Sequence, residues 1–148
     1  MTVGWEQNPD HLRFAEERLG VKFDPRAVTW LTSLDQSGRI IGVVVFSRFT
    51  AGNCELTAVS TDVKWLSKGM LLSVVLYVFE QLACRRVTAI VAVGNEKSLN
   101  LAQQLGFRIE GRLQDWYSSG DALILGLLRK DCKWLKDKNG QPLSTDSA

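Results

Sequence analysis

The residues best suited to chemistry fall in a few short stretches of the chain. Glu55 stands in Cys54-Glu55-Leu56-Thr57-Ala58-Val59-Ser60-Thr61, a run that alternates well enough to be a strand. A carboxylate set among apolar neighbours there is a candidate general base, and the competing reading is a solvated strand glutamate. Val63-Lys64-Trp65-Leu66-Ser67-Lys68 leads from that strand into an apolar helical stretch. A loop entering a helix N-terminus offers N–H donors and the positive end of the helix dipole, so phosphate is its natural ligand, and Lys64 and Lys68 add charge. Asn95 and Ser98 open another short helix, where a side-chain amide can both donate and accept and a hydroxyl can do either. Tyr117 places a phenol in a late turn.

These side chains need elements to hold them. Asn8-Pro9-Asp10 ahead of His11 to Leu19, with Gly20 as the stop, predicts a short helix carrying Leu12, Ala15 and Leu19 on one face. Val28, Trp30 and Thr32, then Ile40 to Phe46, are rich in β-branched and aromatic residues around Asp35-Gln36-Ser37-Gly38, which predicts a hairpin. Ala51-Gly52-Asn53 turns the chain into the Glu55 strand, completing a three-strand meander. Met70, Leu71, Val74, Val75, Val78, Phe79 and Leu82 recur at helical spacing between Ser67 and Ala83, predicting the most buried helix. Arg86 to Val93 follows as an apolar strand, so strand, helix and strand form a crossover whose strands run parallel. Glu96 to Leu105 predicts a helix stopped by Gly106, and Phe107 to Trp116 with Ala122 to Leu128 a final hairpin.

Composition bounds the function classes. With 148 residues, 45% hydrophobic and 23% charged, the chain suits one domain with an ordinary core. That domain is expected over residues 1–135, with a tail at 136–148 that lacks apolar periodicity. The apolar run from Met70 to Phe79 is too short for the roughly 20 residues that cross a bilayer. The acidic first twenty residues do not read as a secretion signal, so a cytoplasmic location without membrane attachment is expected. Cys54, Cys84 and Cys132 are scattered and odd in number, and His11 is the one histidine, so reduced thiols are expected and no metal. A net charge of +2 argues against a broad nucleic-acid surface.

Asn95-Glu96-Lys97-Ser98 followed by Leu105-Gly106-Phe107-Arg108-Ile109-Glu110-Gly111 resembles the N-x-x-S…L-G-F-x-x-E-G signature of the GNAT superfamily of acetyl-coenzyme A-dependent N-acetyltransferases. The resemblance is to the branch that includes ribosomal-protein N-terminal acetyltransferases. Trp65 to Lys68, with Tyr77-Val78-Phe79 and Cys84-Arg85-Arg86-Val87, is similar to small GNAT-like proteins of bacteriophages. The likeness spans about Val28 to Trp134. It implies an α/β fold of the α+β kind: a mixed central sheet with an antiparallel meander, a splayed parallel strand pair, flanking helices and a C-terminal hairpin.

The resemblance also implies acetyl-CoA as cofactor and an amine acceptor, protein or small molecule. It implies Glu55 as base, Ser98 or Tyr117 as the hydroxyl near the departing sulfur, and Val59, Thr61, Lys64, Trp65, Leu66, Ser67, Lys68, Asn95 and Ser98 as cofactor-binding. Asn95 is expected to hold the pantetheine arm or to pair the splayed strand's backbone. Glu110 is a second choice as base, or a structural residue at the turn into the hairpin. Two features depart from the family. Ala102 stands where many relatives carry a tyrosine, and the glycine-rich phosphate loop is replaced by residues 63–68, whose Cβ atoms restrict close backbone approach. Either Lys64 and Lys68 offset that loss, or the domain is a binding module acting on a host or phage protein. Modification of a nucleobase is a third reading, and a dimer is compatible with all three. Trp116, beside Tyr117, is a candidate wall of the acceptor pocket.

Overall fold

A computed structural model describes residues 2–136. In chain order its elements are β1 (Thr2–Gly4), α1 (Pro9–Leu19), β2 (Thr29–Leu34), β3 (Ile40–Thr50), β4 (Asn53–Ser60), α2 (Lys68–Leu76), β5 (Arg86–Ala92), α3 (Glu96–Leu105), β6 (Arg108–Tyr117) and β7 (Gly120–Leu128). The strands form one seven-stranded sheet, ordered β1-β2-β3-β4-β5-β7-β6. Every neighbouring pair is antiparallel except β4 and β5. The expected meander, parallel crossover and closing hairpin are all present, and the fold class is that of the GNAT fold.

Two elements depart from the sequence reading. β1 adds a fourth antiparallel strand, pairing Thr2 with Leu34 and Gly4 with Thr32, and its three residues are too short to show a period. The helix expected to reach Ala83 keeps α-helical bonding only to Leu76, then widens into a π turn over Tyr77–Gln81. Ala83 has left-handed backbone, φ 54°, and ends the helical path by turning the chain toward β5. The tail expected at 136–148 lies, from residue 137 onward, outside the described residues.

The core has two layers because β3 is buried on both faces. Val43 and Val45 pack with Leu12, Ala15, Val28 and Trp30 on the α1 side. Val44 and Phe46 point the other way, into a larger cluster with Met70, Val74, Phe79, Val87 and Leu125. The period of two in a strand produces this division. Each fully buried side chain of this size contributes about 1.5–3 kcal/mol. Beyond Gly4 the β2 edge is held by a side chain: Gln7 Nε2 donates to the Trp30 carbonyl at 2.7 Å, and its Oε1 accepts the Trp30 N–H at 3.1 Å.

The feature that positions the site is the short reach of the parallel pair. β4 and β5 meet only at Asn53↔Arg86, Cys54↔Val87 and Glu55↔Thr88. β4 nevertheless stays paired with β3 through Ser60, and β5 with β7 through Ala92. From Leu56 and Ala89 onward each strand is therefore satisfied on its outer edge and unpaired on its inner one. The closed end is pinned: Thr88 Oγ1 donates to Asn53 Oδ1 at 2.8 Å, Arg86 Nε donates to Thr88 Oγ1 at 3.1 Å, and the Gly52 carbonyl accepts from the N–H groups of Arg85 and Arg86 at 2.7 and 3.1 Å.

Candidate active site

A cleft of about 250 Å³ opens where β4 and β5 part. Leu56 to Ala58 form one wall and Ala89 to Ala92 the other, while Trp65, Leu66, Asn95, Ser98 and Tyr117 close it from the loop before α2, the start of α3 and the last hairpin. Unpaired backbone N–H and C=O groups demand partners, so an extended amide-bearing chain lying between the strands satisfies both edges at once. An acetyl-CoA pantetheine arm has that form. The donors present fit the group, because the arm needs paired amides and an apolar trough, and its phosphates need a helix N-terminus.

That N-terminus belongs to α2. Ser67 is its cap, with Oγ accepting the Met70 N–H at 3.1 Å, and the Ser67 carbonyl takes the Leu71 N–H at 2.9 Å. By helix geometry the N–H groups of Lys68 and Gly69 point outward from the first turn without an intrahelical partner. Lys64 and Lys68 are both exposed beside them. Asp62 caps the preceding 3₁₀ turn, its Oδ1 accepting the Lys64 N–H at 2.8 Å. Thr61, also exposed, ties its N–H to the Ile41 carbonyl at 3.0 Å and so anchors the loop to β3. Val59 packs toward the α1 layer.

Trp65 is in the core: only 8% exposed, it joins the α2-side cluster and also lines the cleft. A Cβ at Gly42 would lie 2.7 Å from Trp65 Cε3, so the absence of a side chain at that position of β3 makes room for the indole. The ring thus holds the loop that a glycine-rich sequence would form by close backbone approach.

Asn95 is the N-cap of α3, with Oδ1 accepting the Ser98 N–H at 3.2 Å. Its side-chain oxygen is committed to the cap, which leaves the Nδ2 donors available to a ligand in the cleft that Asn95 lines. Ser98 lies one turn in, half-buried, and Ala102 is buried one turn further along the same wall. Glu110 is engaged elsewhere: Arg86 holds it through two hydrogen bonds, 2.8 and 3.2 Å, and this pairing keeps its carboxyl below the ordinary value of 4.5. Of the two readings for this glutamate, the geometry fits the structural one.

On the α1 side of the sheet a second, wider groove of about 880 Å³ runs between the 21–28 loop, the end of β3 and the β6–β7 turn. Glu55 lines it, with a side chain 25% exposed and Oε2 lying 3.4 Å from Arg48 Nε. The groove and the cleft share Leu19, Thr57, Ile90 and Tyr117, so they meet through the gap between the strands. Of the sequence-predicted residues, Tyr117 lines both spaces, Glu55 lines the groove alone and Ser98 the cleft alone. Arg48, Phe49, Thr57, Ile90 and the 21–28 loop escaped the sequence reading. Their role comes from spatial closure around the gap, and no spacing in the chain marks it. Among the described residues no group of three His, Cys, Asp or Glu side chains is placed to hold a metal.

A splayed parallel pair, a helix N-terminus at its open end and a groove on the opposite face match the arrangement expected of an acetyl-CoA-dependent acyltransferase. Residues 1–108 match the acetyltransferase (GNAT) domain model, and the chain belongs to that family. It is similar to the acetyltransferase PseH of Campylobacter jejuni, 29% identical over 127 residues that make up 85% of this chain and 74% of that protein. Among solved structures it resembles a chimera of the spermidine N-acetyltransferase SpeG of Vibrio cholerae and hSSAT, with TM-score 0.71, 17% identity, and coverage of 86% of this chain and 94% of the other. SpeG from the same organism in complex with CoA and spermine gives TM-score 0.65 at 19% identity over 84% and 77% of the two chains. The ribosomal-protein-S5-alanine acetyltransferase of Vibrio fischeri gives 0.62 at 20% identity over 82% and 70%. These structural likenesses speak for the fold. Family membership decides between transferase and binding module in favour of the transferase, with acetyl-CoA as acyl donor.

Proposed function

We propose that this chain moves the acetyl group of acetyl-CoA onto a primary amine that enters through the α1-side groove. One observation carries the reading: cleft and groove meet at Thr57, Ile90 and Tyr117, with Glu55 beside that meeting point. In the reaction the amine nitrogen forms a bond to the thioester carbonyl carbon and the carbon–sulfur bond breaks. Glu55 takes the proton that the nitrogen sheds, and CoA leaves as a thiol after receiving a proton. Ala102 supplies no hydroxyl for that second transfer, so Ser98 on α3 and Tyr117 on the last hairpin are the donors within the cleft.

The cofactor contacts follow from the same geometry. The free edges of β4 and β5 near Val59 pair the pantetheine amides, Asn95 Nδ2 donates to the arm, and Trp65 and Leu66 form the apolar floor. The Lys68 and Gly69 N–H groups with Lys64, Ser67 and Lys68 take the phosphates, and Thr61 holds their loop in place. Calorimetric titration with acetyl-CoA tests this: binding at sub-millimolar ligand that weakens in Asn95→Ala and Lys64→Ala is expected. Absence of binding, or unchanged affinity in both variants, overturns it.

A further inference from the structure

We propose that the groove selects a small primary amine carried on an aromatic ring, an arylalkylamine with no second positive charge. This rests on the acetyl-transfer reading and names the substrate class for it.

The first observation is where the protein exposes apolar surface. Val21, Phe49, Trp116 and Tyr117 are 46%, 42%, 49% and 37% exposed, and all four line the groove. Large aromatic side chains left in water beside a cavity mark a binding surface. The second is backbone strain at the same rim. Arg48, Ala83 and Asp115 are the non-glycine residues with left-handed φ among those described, and two of them immediately precede Phe49 and Trp116. Such conformations persist only where the surroundings hold them. At Asp115 they do: its N–H donates to Asp121 Oδ1 at 2.8 Å, and Asp121 is in turn held by Arg112 at 2.7 Å. The backbone leading into Trp116 is therefore held in place, and Phe49 follows the other strained residue of this rim.

Charge then separates the possible amines. Both carboxylates that line the groove are already paired, Asp24 with Arg26 at 3.3 Å and Glu55 with Arg48 at 3.4 Å, and Lys22 lines it as well. A polyamine would bring a second ammonium to a wall that sets Lys22 and Arg48 against it and whose two carboxylates are each shared with an arginine. A sugar-borne amine would bring several hydroxyls to a surface whose own hydroxyls are Ser47, Thr57 and Tyr117. A monoamine on an aromatic ring matches what is present: rings to stack against, apolar side chains beneath them, and Glu55 at the gap to take one proton.

The test compares tryptamine, spermidine and glucosamine as acceptors for the full chain with saturating acetyl-CoA. Tryptamine is expected to exceed both others in kcat/KM by about ten-fold, and Trp116→Ala and Phe49→Ala to raise its KM by about ten-fold. The KM for acetyl-CoA should stay unchanged in both variants, since neither ring lines the cleft, and thermal melting checks that both fold. Preference for spermidine or glucosamine, or an unchanged tryptamine KM in both variants, overturns the proposal. Calorimetry of tryptamine with the protein–CoA complex separates the two levels. Tryptamine binding without turnover sustains the selection and removes the transfer reading; turnover of another amine without tryptamine binding does the reverse.

Discussion

The indole of Trp65 lies against Gly42, so close that a Cβ at residue 42 would stand 2.7 Å from Cε3 and 2.8 Å from the Trp65 Cβ. The contact joins the middle of the sheet to the loop that leads into α2. Because Trp65 Cβ is part of the clash, the ring cannot escape by a rotamer change alone.

Gly42→Ala should therefore push the 63–68 loop away from β3. Overpacking of this kind costs about 1–3 kcal/mol. A lower urea midpoint together with weaker acetyl-CoA binding is expected. A variant with unchanged affinity would show that the loop does not serve the phosphates.

Lys64→Ala and Lys68→Ala remove exposed cations, so little change in stability is expected. Their effect on acetyl-CoA affinity should shrink as salt rises from 0.05 to about 0.5 M, because screening shortens the reach of surface charge. Titrations at the two salt concentrations check this.

Glu55→Gln keeps the side chain's shape and removes the proton acceptor. Loss of a positioned general base lowers rate by about 10²–10⁴-fold. The loss should appear in kcat while acetyl-CoA affinity is retained. Arg48→Ala, which frees Glu55 from its 3.4 Å partner, should leave kcat measurable.

Glu110 gives the pH dependence of stability a sign. Its folded carboxyl titrates below the ordinary 4.5, chiefly through its hydrogen bonds from Arg86. The carboxylate therefore adds stability above pH 4.5, and that contribution is lost as pH falls through the folded value. Glu110→Gln should lower the denaturation midpoint at pH 7 and leave it nearer to the parent at pH 3. The pair also explains Gly126, where a Cβ would meet the Arg86 guanidinium and the Glu110 carboxylate.

The buried thiols should be inert. Burial, with Cys84 alongside, pushes the Cys54 thiol up to about 12 from 9.0, and burial raises Cys132 too. At pH 8 a thiol reagent should find Cys54, Cys84 and Cys132 unreactive in the folded protein and all three reactive in denaturant. Fast labelling of the native protein would contradict the packing.

Local order was written in the chain. Helix starts at Asn8, Ser67 and Asn95 were marked by capping side chains, and the ends at Gly20 and Gly106 by glycines whose φ values, 69° and 106°, are left-handed. The alternation of Val43 to Phe46 and the helical spacing of Met70, Val74 and Val78 likewise reflect one residue type repeating at one element's period. The strand–helix–strand order already implied the parallel pair, and the N-x-x-S and L-G-F-x-x-E-G residues carried the family resemblance.

What the tertiary structure alone decided concerns partners far apart in sequence. The resemblance implied a splayed pair, but where it parts is set by the folded sheet: the pairing of β4 with β5 stops after Glu55 and Thr88 while their outer pairings continue, and that mismatch fixes the place of the cleft. Gly42 and Trp65 have no mutual spacing that marks them as neighbours. Arg48, Phe49, Trp116 and Tyr117 become one groove only when β3 and the last hairpin close over the same gap. Short-range periodicity reports which face of an element is apolar. A binding site is a juxtaposition of faces, and the folded sheet brings them together.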